Sequence, residues 1–197
     1  MRQRYWTNRA TVNVFRVIGT QHPDYQGLTW LEFLKKGKRM GRNLGLYEAN
    51  PSYYTDIAVK EPTMYYRTLD GGLSYYVAED GNHRSAIARF DCWYRGDLLL
   101  HGVTVTDLRI DWELARLYSR LQTLIATGGA RMHGKQVEPV TRRVSREDGP
   151  GWMLETFTPV LRVRDGAQVF DVGSAEAMDV EQRWLRLTRR PWWVFWT

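Results

Sequence analysis

YVAEDGNHRSAIARF, residues 76–90, is the part of the sequence that decides the fold. Aromatic and β-branched residues precede Gly81, and small and apolar residues follow it at helical spacing. The pattern predicts a strand, a turn at 79–82, and a helix that runs to Tyr94 and is ended by Gly96. Gly81 lacks the Cβ that would keep a ligand away from the backbone, and the start of the helix offers free N–H groups.

The side chains around Gly81 predict a phosphate-binding turn. Helix N-termini attract anions, a guanidinium group matches the oxygens of phosphate, and a histidine donor changes charge near neutral pH. The predicted phosphate-binding residues are Asp80, Gly81, Asn82, His83, Arg84 and Ser85. The candidate catalytic residues are Arg84, His83 and Glu79, and the candidate Mg²⁺ ligands are Glu79 and Asp80. The alternative is an ordinary strand–turn–helix, in which Asp80 or Asn82 only caps the helix.

The segment DGNHRSAIA, placed after a strand, resembles the phosphate-binding motif of the ParB/sulfiredoxin superfamily. Members of that superfamily place a Gly-x-(His/Arg)-Arg turn at a helix start, where it meets nucleotide phosphates. Gly81, His83 and Arg84 match this pattern. The resemblance covers residues 12–110 and implies an α/β fold of the α+β type with a mixed sheet. Sulfiredoxin-like members carry their catalytic cysteine where this chain has Asn82, so reduction of a sulfinic acid is not expected.

ParB-type members usually have a glutamate at that position and a helix-turn-helix downstream, and this sequence has neither. A stand-alone chain of this size most resembles the fertility-inhibition proteins of conjugative plasmids, which include the oncogenic suppression type. That resemblance implies ATP hydrolysis and DNA cleavage, directed against conjugative or T-DNA transfer, with ATP and Mg²⁺ as cofactors. A component of a conjugation or type IV secretion apparatus is then a candidate partner, besides nucleotide and DNA.

A nucleotide-binding module without chemistry is the alternative function. Such a module would block a transfer apparatus by protein contact, and the aromatic C-terminal tail would supply the contact surface through Trp192, Trp193, Phe195 and Trp196. Closure of the edge of the core is the other interpretation of this tail.

The net charge of +6 is concentrated in the first quarter of the chain. Residues 1–45 contain nine basic and two acidic side chains, whereas the rest contains 19 basic and 20 acidic ones. Such asymmetry is typical of proteins that bind polyanions. The predicted DNA-binding residues are Lys35, Lys36, Lys38, Arg39 and Arg42. A solvated basic face is the alternative, and DNA binding by charge alone, without nucleotide, is a third hypothesis.

Three features bear on the compartment. A single cysteine, Cys92, excludes an internal disulfide and a multi-cysteine metal site. The first residues lack the apolar core of a signal peptide, and no apolar run reaches the length of a membrane span. We therefore expect a bacterial cytoplasmic protein without a membrane span.

The remaining pattern predicts one α/β domain, 1–197. It comprises a ParB/sulfiredoxin-like core at 12–110 and a C-terminal extension at 111–197 made of a helix, a loop, a hairpin and a helix. Strands are expected at 11–18, 63–69, 74–78 and 98–110. Helices are expected after Thr29, where Glu32 completes a capping box, at 111–126, and from a Ser174 cap to about Leu187. Segment 53–59 fits a helix or a strand, 127–151 reads as a mobile loop, and 156–172 reads as a hairpin around Asp165 and Gly166.

Overall fold

The computed structural model describes residues 1–188, which form a mixed α/β structure with an open mixed sheet. In chain order its elements are β1 (Gln3–Asn13), β2 (Val17–Thr20), α1 (Trp30–Lys36), α2 (Met40–Ala49), α3 (Ser52–Thr55), β3 (Tyr65–Thr68), β4 (Tyr75–Val77), α4 (Asn82–Arg95), β5 (Leu99–Arg109), α5 (Trp112–Thr127), β6 (Lys135–Gly149), β7 (Trp152–Asp165), β8 (Gln168–Val172) and α6 (Ser174–Thr188). The predicted α/β class with a mixed sheet is confirmed. No helix among these residues is long and apolar enough to cross a membrane.

The chain divides into two compact units. The N-terminal unit consists of Gln3–Arg109 together with Arg146–Glu155, the turn end of the β6–β7 hairpin. Among the described residues, the C-terminal unit consists of Met1–Arg2, Ile110–Ser145 and 156–188. The predicted aromatic tail, with Trp192, Trp193, Phe195 and Trp196, lies outside the described residues.

The sheet of the N-terminal unit has the strand order β2-β4-β3-β5-β1. β2 runs parallel to β4 and β3 parallel to β5, whereas β3 pairs with β4, and β1 with β5, in the antiparallel direction. Helix α4 packs against this sheet through buried small side chains, among them Ala86 and Ala88, which are fully buried. Because alanine keeps the helix close to the sheet, the turn that begins α4 is anchored on a rigid base.

The core of the C-terminal unit lies between α5, α6 and the β-strands. Helix α5 contributes Leu114, Leu117 and Leu121, which recur at helical spacing. The largest buried side chain is Trp184 of α6, whose indole N–H donates to the Asp165 carboxylate across 3.2 Å. This hydrogen bond satisfies the polar atom of a fully buried ring, over which the Lys135 ammonium group also lies, 5.5 Å from the ring centre.

The prediction of a mobile loop at 127–151 is wrong, because most of this segment is strand β6. Val137 is its one buried side chain, and most of the others are exposed, so the strand shows no apolar alternation in the sequence. Its place in the sheet comes from pairing with β7. The single strand predicted at 11–18 is also wrong, since β1 begins at Gln3 and a 3₁₀ turn at Val14–Arg16 separates it from β2.

Several local predictions are confirmed. The Thr29 hydroxyl accepts the N–H of Glu32, and the Glu32 carboxylate accepts the N–H of Thr29, which completes the predicted capping box of α1. Gly96 ends α4 with φ +70°, and β7 and β8 form the predicted hairpin. Segment 53–59 begins within the short helix α3. Ser174 is the first residue of α6 and not the residue before it.

Candidate functional site

The turn before α4 adopts a backbone conformation that requires glycine. Gly81 has φ +107°, a left-handed value that other residues rarely adopt. A Cβ on Gly81 would lie 2.8 Å from Cγ and 3.0 Å from Cα of Met64, closer than real contacts. The Asp80 carboxylate accepts the N–H of Gly81 across 2.6 Å. The chain is therefore held close to the β3 segment as α4 begins.

A cavity of about 670 Å³ opens beside this turn, entirely within the N-terminal unit. One wall is the segment from Glu79 to Arg84. A second wall is one face of α2 with its flanking residues, which recur at helical spacing: Arg39, Arg42, Asn43, Leu46 and Asn50. The other lining residues come from the loop before α1, from α3 and from the segment that follows α3: His22, Asp24, Tyr25, Lys38, Tyr53, Tyr54, Glu61 and Pro62.

Arg84 lies at the cavity wall with its guanidinium group already engaged. One nitrogen donates to the Asp80 carboxylate and another donates to the carbonyl of Pro62, both across 2.7 Å. The hydroxyl of Tyr53 donates to the same carbonyl across 2.6 Å. The side chain of Arg84 is 13% exposed, so it braces the turn against the segment after α3 and keeps a limited face toward the cavity.

His83 links the turn to the start of α2. Its ring packs against Phe33, with ring centres 5.1 Å apart, and lies edge-on to Tyr25. Nε2 of His83 faces the peptide N–H of Arg39 at 3.4 Å. Burial, and then the positive charge of Arg39, lower the pKa of His83 below its ordinary value. The neutral imidazole is therefore favoured at neutral pH.

The two candidate metal ligands both line the cavity and both are ion-paired. Glu79 accepts from Arg67 across 2.7 Å, and Asp80 accepts from Arg84. Within residues 1–188, no group of three or more His, Cys, Asp or Glu side chains is arranged to hold a metal ion. Mg²⁺ in nucleotide sites usually takes one or two carboxylates and completes its shell with phosphate and water. Two adjacent carboxylates at the cavity therefore fit the donor set for Mg²⁺ with a nucleotide.

Asn82 and Ser85 are buried and make contacts inside the fold. The hydroxyl of Thr20 donates to the side-chain oxygen of Asn82. The Ser85 hydroxyl lies 2.8 Å from the hydroxyl of Tyr66, a fully buried residue whose pKa is raised by burial. Asn82 lines the cavity, whereas Ser85 does not.

The five predicted DNA-binding residues separate into two groups. Lys38, Arg39 and Arg42 line the cavity, whereas Lys35 and Lys36 do not. Lys38 pairs with Asp24 across 2.9 Å, and this bond lowers the pKa of Asp24. The side chains of Arg39 and Arg42 make no ion pair or hydrogen bond with any residue in the described part of the chain.

The α2 wall of the cavity was not predicted from the sequence. Asn43, Leu46 and Asn50 were not predicted as site residues, nor was Tyr53. The spacing of Arg39, Asn43, Leu46 and Asn50 is the signal that was available, since it is the spacing of one helix face. Glycines interrupt that signal, because they suggest a break in the helix.

Comparison with protein-family models, with curated proteins and with solved structures finds no match for this chain. The functional conclusion therefore depends on the geometry of the cavity.

Proposed function

We propose that this chain is a nucleotide-binding hydrolase of the ParB/sulfiredoxin type, which uses ATP with Mg²⁺ and cleaves DNA in the bacterial cytoplasm. Inhibition of conjugative or T-DNA transfer is the biological outcome that this assignment implies. One observation carries the proposal: the Gly81 turn at the start of α4 opens into a cavity that is cationic on one side and aromatic on another.

The two kinds of lining suit the two parts of a nucleotide. Arg39 and Arg42 stand at the N-terminal end of α2, and the turn with its helix N-terminus lies opposite. Leu46, Asn50 and Tyr53 stand toward the other end. Phosphate is bound by cations and backbone N–H groups, whereas a nucleoside needs an apolar surface with a few polar atoms. The volume lies within the range of roughly 300–1,000 Å³ that small-ligand pockets usually have.

In this proposal Glu79 and Asp80 would hold Mg²⁺ together with the phosphates. The ion, when bound, neutralises phosphate charge and polarises the phosphoryl group. Asp80 would exchange its bond to Arg84 for the ion, which frees the guanidinium group to stabilise charge on the transferring phosphoryl group. Neutral His83 would accept a proton from attacking water on Nε2, after this atom releases the peptide N–H of Arg39.

DNA would contact the exposed lysines Lys35 and Lys36, which lie on the same α1–α2 segment but outside the cavity. Phosphate contacts of this kind supply affinity without base specificity. The α1–α2 segment would then connect the nucleotide site to the surface that binds the DNA to be cleaved.

A nucleotide-binding module without chemistry is the second candidate, and the ion pairs of the site favour it. Both carboxylates that a hydrolase would use are held by arginines, Glu79 by Arg67 and Asp80 by Arg84. A pocket in that state would bind a nucleotide while neither Glu79 nor Asp80 is free to act as a base or a metal ligand. Such a protein would act by contact with a component of the transfer apparatus.

Phosphate release from ATP and nicking of plasmid DNA, each with and without Mg²⁺, test the proposal. We expect both activities in the wild type with Mg²⁺ and neither in Arg84→Ala. Arg95→Ala is the matched control, because Arg95 is also an α4 arginine paired with a carboxylate but does not line the cavity. Circular dichroism checks that both variants fold.

The outcomes separate the candidates. Full activity in Arg84→Ala would overturn the role of Arg84. ATP binding without phosphate release in the wild type would exclude the hydrolase and support the binding module.

A further inference from the structure

We propose that Arg39 and Arg42 bind the phosphates beyond the first one of a nucleotide, so that the cavity selects nucleoside di- and triphosphates over monophosphates. The inference rests on the proposed function, because it assumes that the cavity takes a nucleotide. It assigns to the nucleotide two residues that the sequence pattern assigned to DNA.

The charge balance of the cavity favours an anion beside Arg39 and Arg42. Four cationic side chains line it: Lys38, Arg39, Arg42 and Arg84. Two of them are already neutralised, because Lys38 pairs with Asp24 and Arg84 pairs with Asp80. Of the two other carboxylates that line the cavity, Glu79 is neutralised by Arg67, whereas Glu61 has no ion-pair partner in residues 1–188. Among the cations that line the cavity, Arg39 and Arg42 are therefore the two without an ion-pair partner in residues 1–188. An anion in the cavity gains most beside them.

These arginines lie close to the Gly81 turn. The peptide N–H of Arg39 lies 3.4 Å from Nε2 of His83, so the start of α2 is fixed beside the start of α4. Arg42 follows one turn later on the same face of α2, a rise of roughly 4.5 Å. A nucleoside monophosphate has only one phosphate. When that phosphate is bound at the Gly81 turn, none is left to reach the arginines. In a triphosphate, the transferring phosphoryl group would lie at the turn beside Arg84, and the other two phosphates would meet the arginines.

The lining of the cavity changes along α2, and this change gives a bound nucleotide a direction. Beyond Arg42, the face of α2 that lines the cavity continues with Asn43, Leu46 and Asn50 and ends near Tyr53. Along α2 this part of the cavity has apolar and amide groups, and the Arg84 guanidinium group meets Tyr53 at the Pro62 carbonyl. A nucleotide with its base near Leu46 and Tyr53 would place its phosphates toward the N-terminal end of α2. Guanidinium groups are suited to bind phosphate oxygens at that end through paired N–H donors.

Lys35 and Lys36 provide an internal control. They belong to the same basic segment and are exposed, but they do not line the cavity. The double variants Arg39→Gln/Arg42→Gln and Lys35→Gln/Lys36→Gln each remove two positive charges within eight residues of one another. Any difference in nucleotide affinity between the two double variants therefore comes from the location of the removed charges and not from the net charge.

Isothermal titration calorimetry with ATP, ADP and AMP measures the selectivity, and fluorescence anisotropy with a short DNA duplex measures DNA binding. We expect wild-type protein to bind ATP at least about tenfold more tightly than AMP, the minimum expected from charge-assisted hydrogen bonds. In Arg39→Gln/Arg42→Gln the ATP affinity falls to the AMP level, while the AMP affinity changes little. In Lys35→Gln/Lys36→Gln the ATP affinity is retained and the DNA affinity falls.

Three results would overturn the inference. Wild-type ATP affinity in Arg39→Gln/Arg42→Gln, or equal wild-type affinities for ATP and AMP, would do so and leave the proposed function standing. Wild-type protein that binds none of the three nucleotides would overturn the proposed function and the inference together. The single variants Arg39→Gln and Arg42→Gln, with intermediate ATP affinities expected, give the same test in case the double variant does not fold.

Discussion

The peptide N–H of Arg39 donates to Nε2 of His83 across 3.4 Å, and this contact connects the two walls of the cavity. His83 belongs to the first turn of α4, and Arg39 immediately precedes α2. The acceptor nitrogen must be unprotonated, so the neutral imidazole with its proton on Nδ1 makes this contact. A charged imidazole would lose the contact and would face the guanidinium group of Arg39 with like charge.

The pH dependence of stability is the first prediction. Burial, assisted by Arg39, lowers the pKa of His83 in the folded protein below its ordinary value near 6.5. The unfolded chain therefore binds this proton more readily than the folded chain. The contribution of His83 to stability is fully present above about pH 6.5 and is lost as the pH falls below that value toward the folded-state pKa. We expect urea denaturation to show a falling free energy of unfolding over this range.

His83→Gln tests the origin of this loss. Glutamine keeps an acceptor near the Arg39 N–H but does not titrate, so the variant should have a flatter pH profile below about pH 6.5. Other groups titrate in both proteins, and their contributions cancel in the difference between the two curves. Parallel curves across this range would contradict the prediction.

Gly81→Ala is expected to destabilise the fold and to remove nucleotide binding. The left-handed φ costs alanine about 1–3 kcal/mol, and the clash of Cβ with Met64 adds about 1–3 kcal/mol of overpacking. The measurement is the free energy of unfolding, followed by ATP titration of whatever fraction remains folded. A variant with wild-type stability would mean that the close approach to Met64 is absent.

Two other glycines distinguish the cost of backbone strain from the cost of the clash with Met64. Gly96 has φ +70° and open space around its missing Cβ, so Gly96→Ala reports backbone strain without a clash. Gly45 lies within α2 with open space and ordinary backbone, so Gly45→Ala should stabilise the protein by about 0.5–1 kcal/mol. We expect the free energy of unfolding to decrease in the order Gly45→Ala, wild type, Gly96→Ala, Gly81→Ala.

The buried pair Tyr66 and Ser85 supports the helix under the site. Their hydroxyls lie 2.8 Å apart and are shielded from water. Tyr66→Phe leaves the serine hydroxyl without that partner, and we expect a loss of about 1–3 kcal/mol. Ser85→Ala likewise leaves the tyrosine hydroxyl without the serine hydroxyl as its partner. Tyr66→Phe/Ser85→Ala should cost less than the sum of the single changes, and additive losses in denaturant unfolding would refute the coupling.

The elements that could be predicted from the sequence are those with local signals. The α1 capping box needs only Thr29 and Glu32, and the end of α4 needs only Gly96. Strand β6 could not be predicted, because its side chains are exposed and its pairing with β7 is not local. The interruption at Val14–Arg16 was missed because the β-branched residues on both sides continue one apparent strand.

The site shows the same division between local and non-local information. The Gly81 turn was predicted from its own residues, and the structure gives Gly81 a left-handed φ at the start of α4. The contacts of Arg84 and His83 depend on Pro62 and Arg39, which lie far away in the sequence. Likewise, net charge along the chain cannot distinguish Lys35 from Arg39, because only the folded helix decides which side chain lines the cavity.

Asp24→Asn is expected to strengthen nucleotide binding. Asp24 lines the cavity and neutralises Lys38 across 2.9 Å. The change removes one negative charge from the lining and frees an ammonium group beside Arg39, so a polyphosphate meets one more cation. The ATP affinity should rise severalfold at low salt, and the gain should shrink as salt screens these exposed groups. Glu48→Gln is the matched control, since it removes the same charge from α2 outside the cavity. An equal gain in both variants would mean that net charge, and not the cavity, sets the affinity.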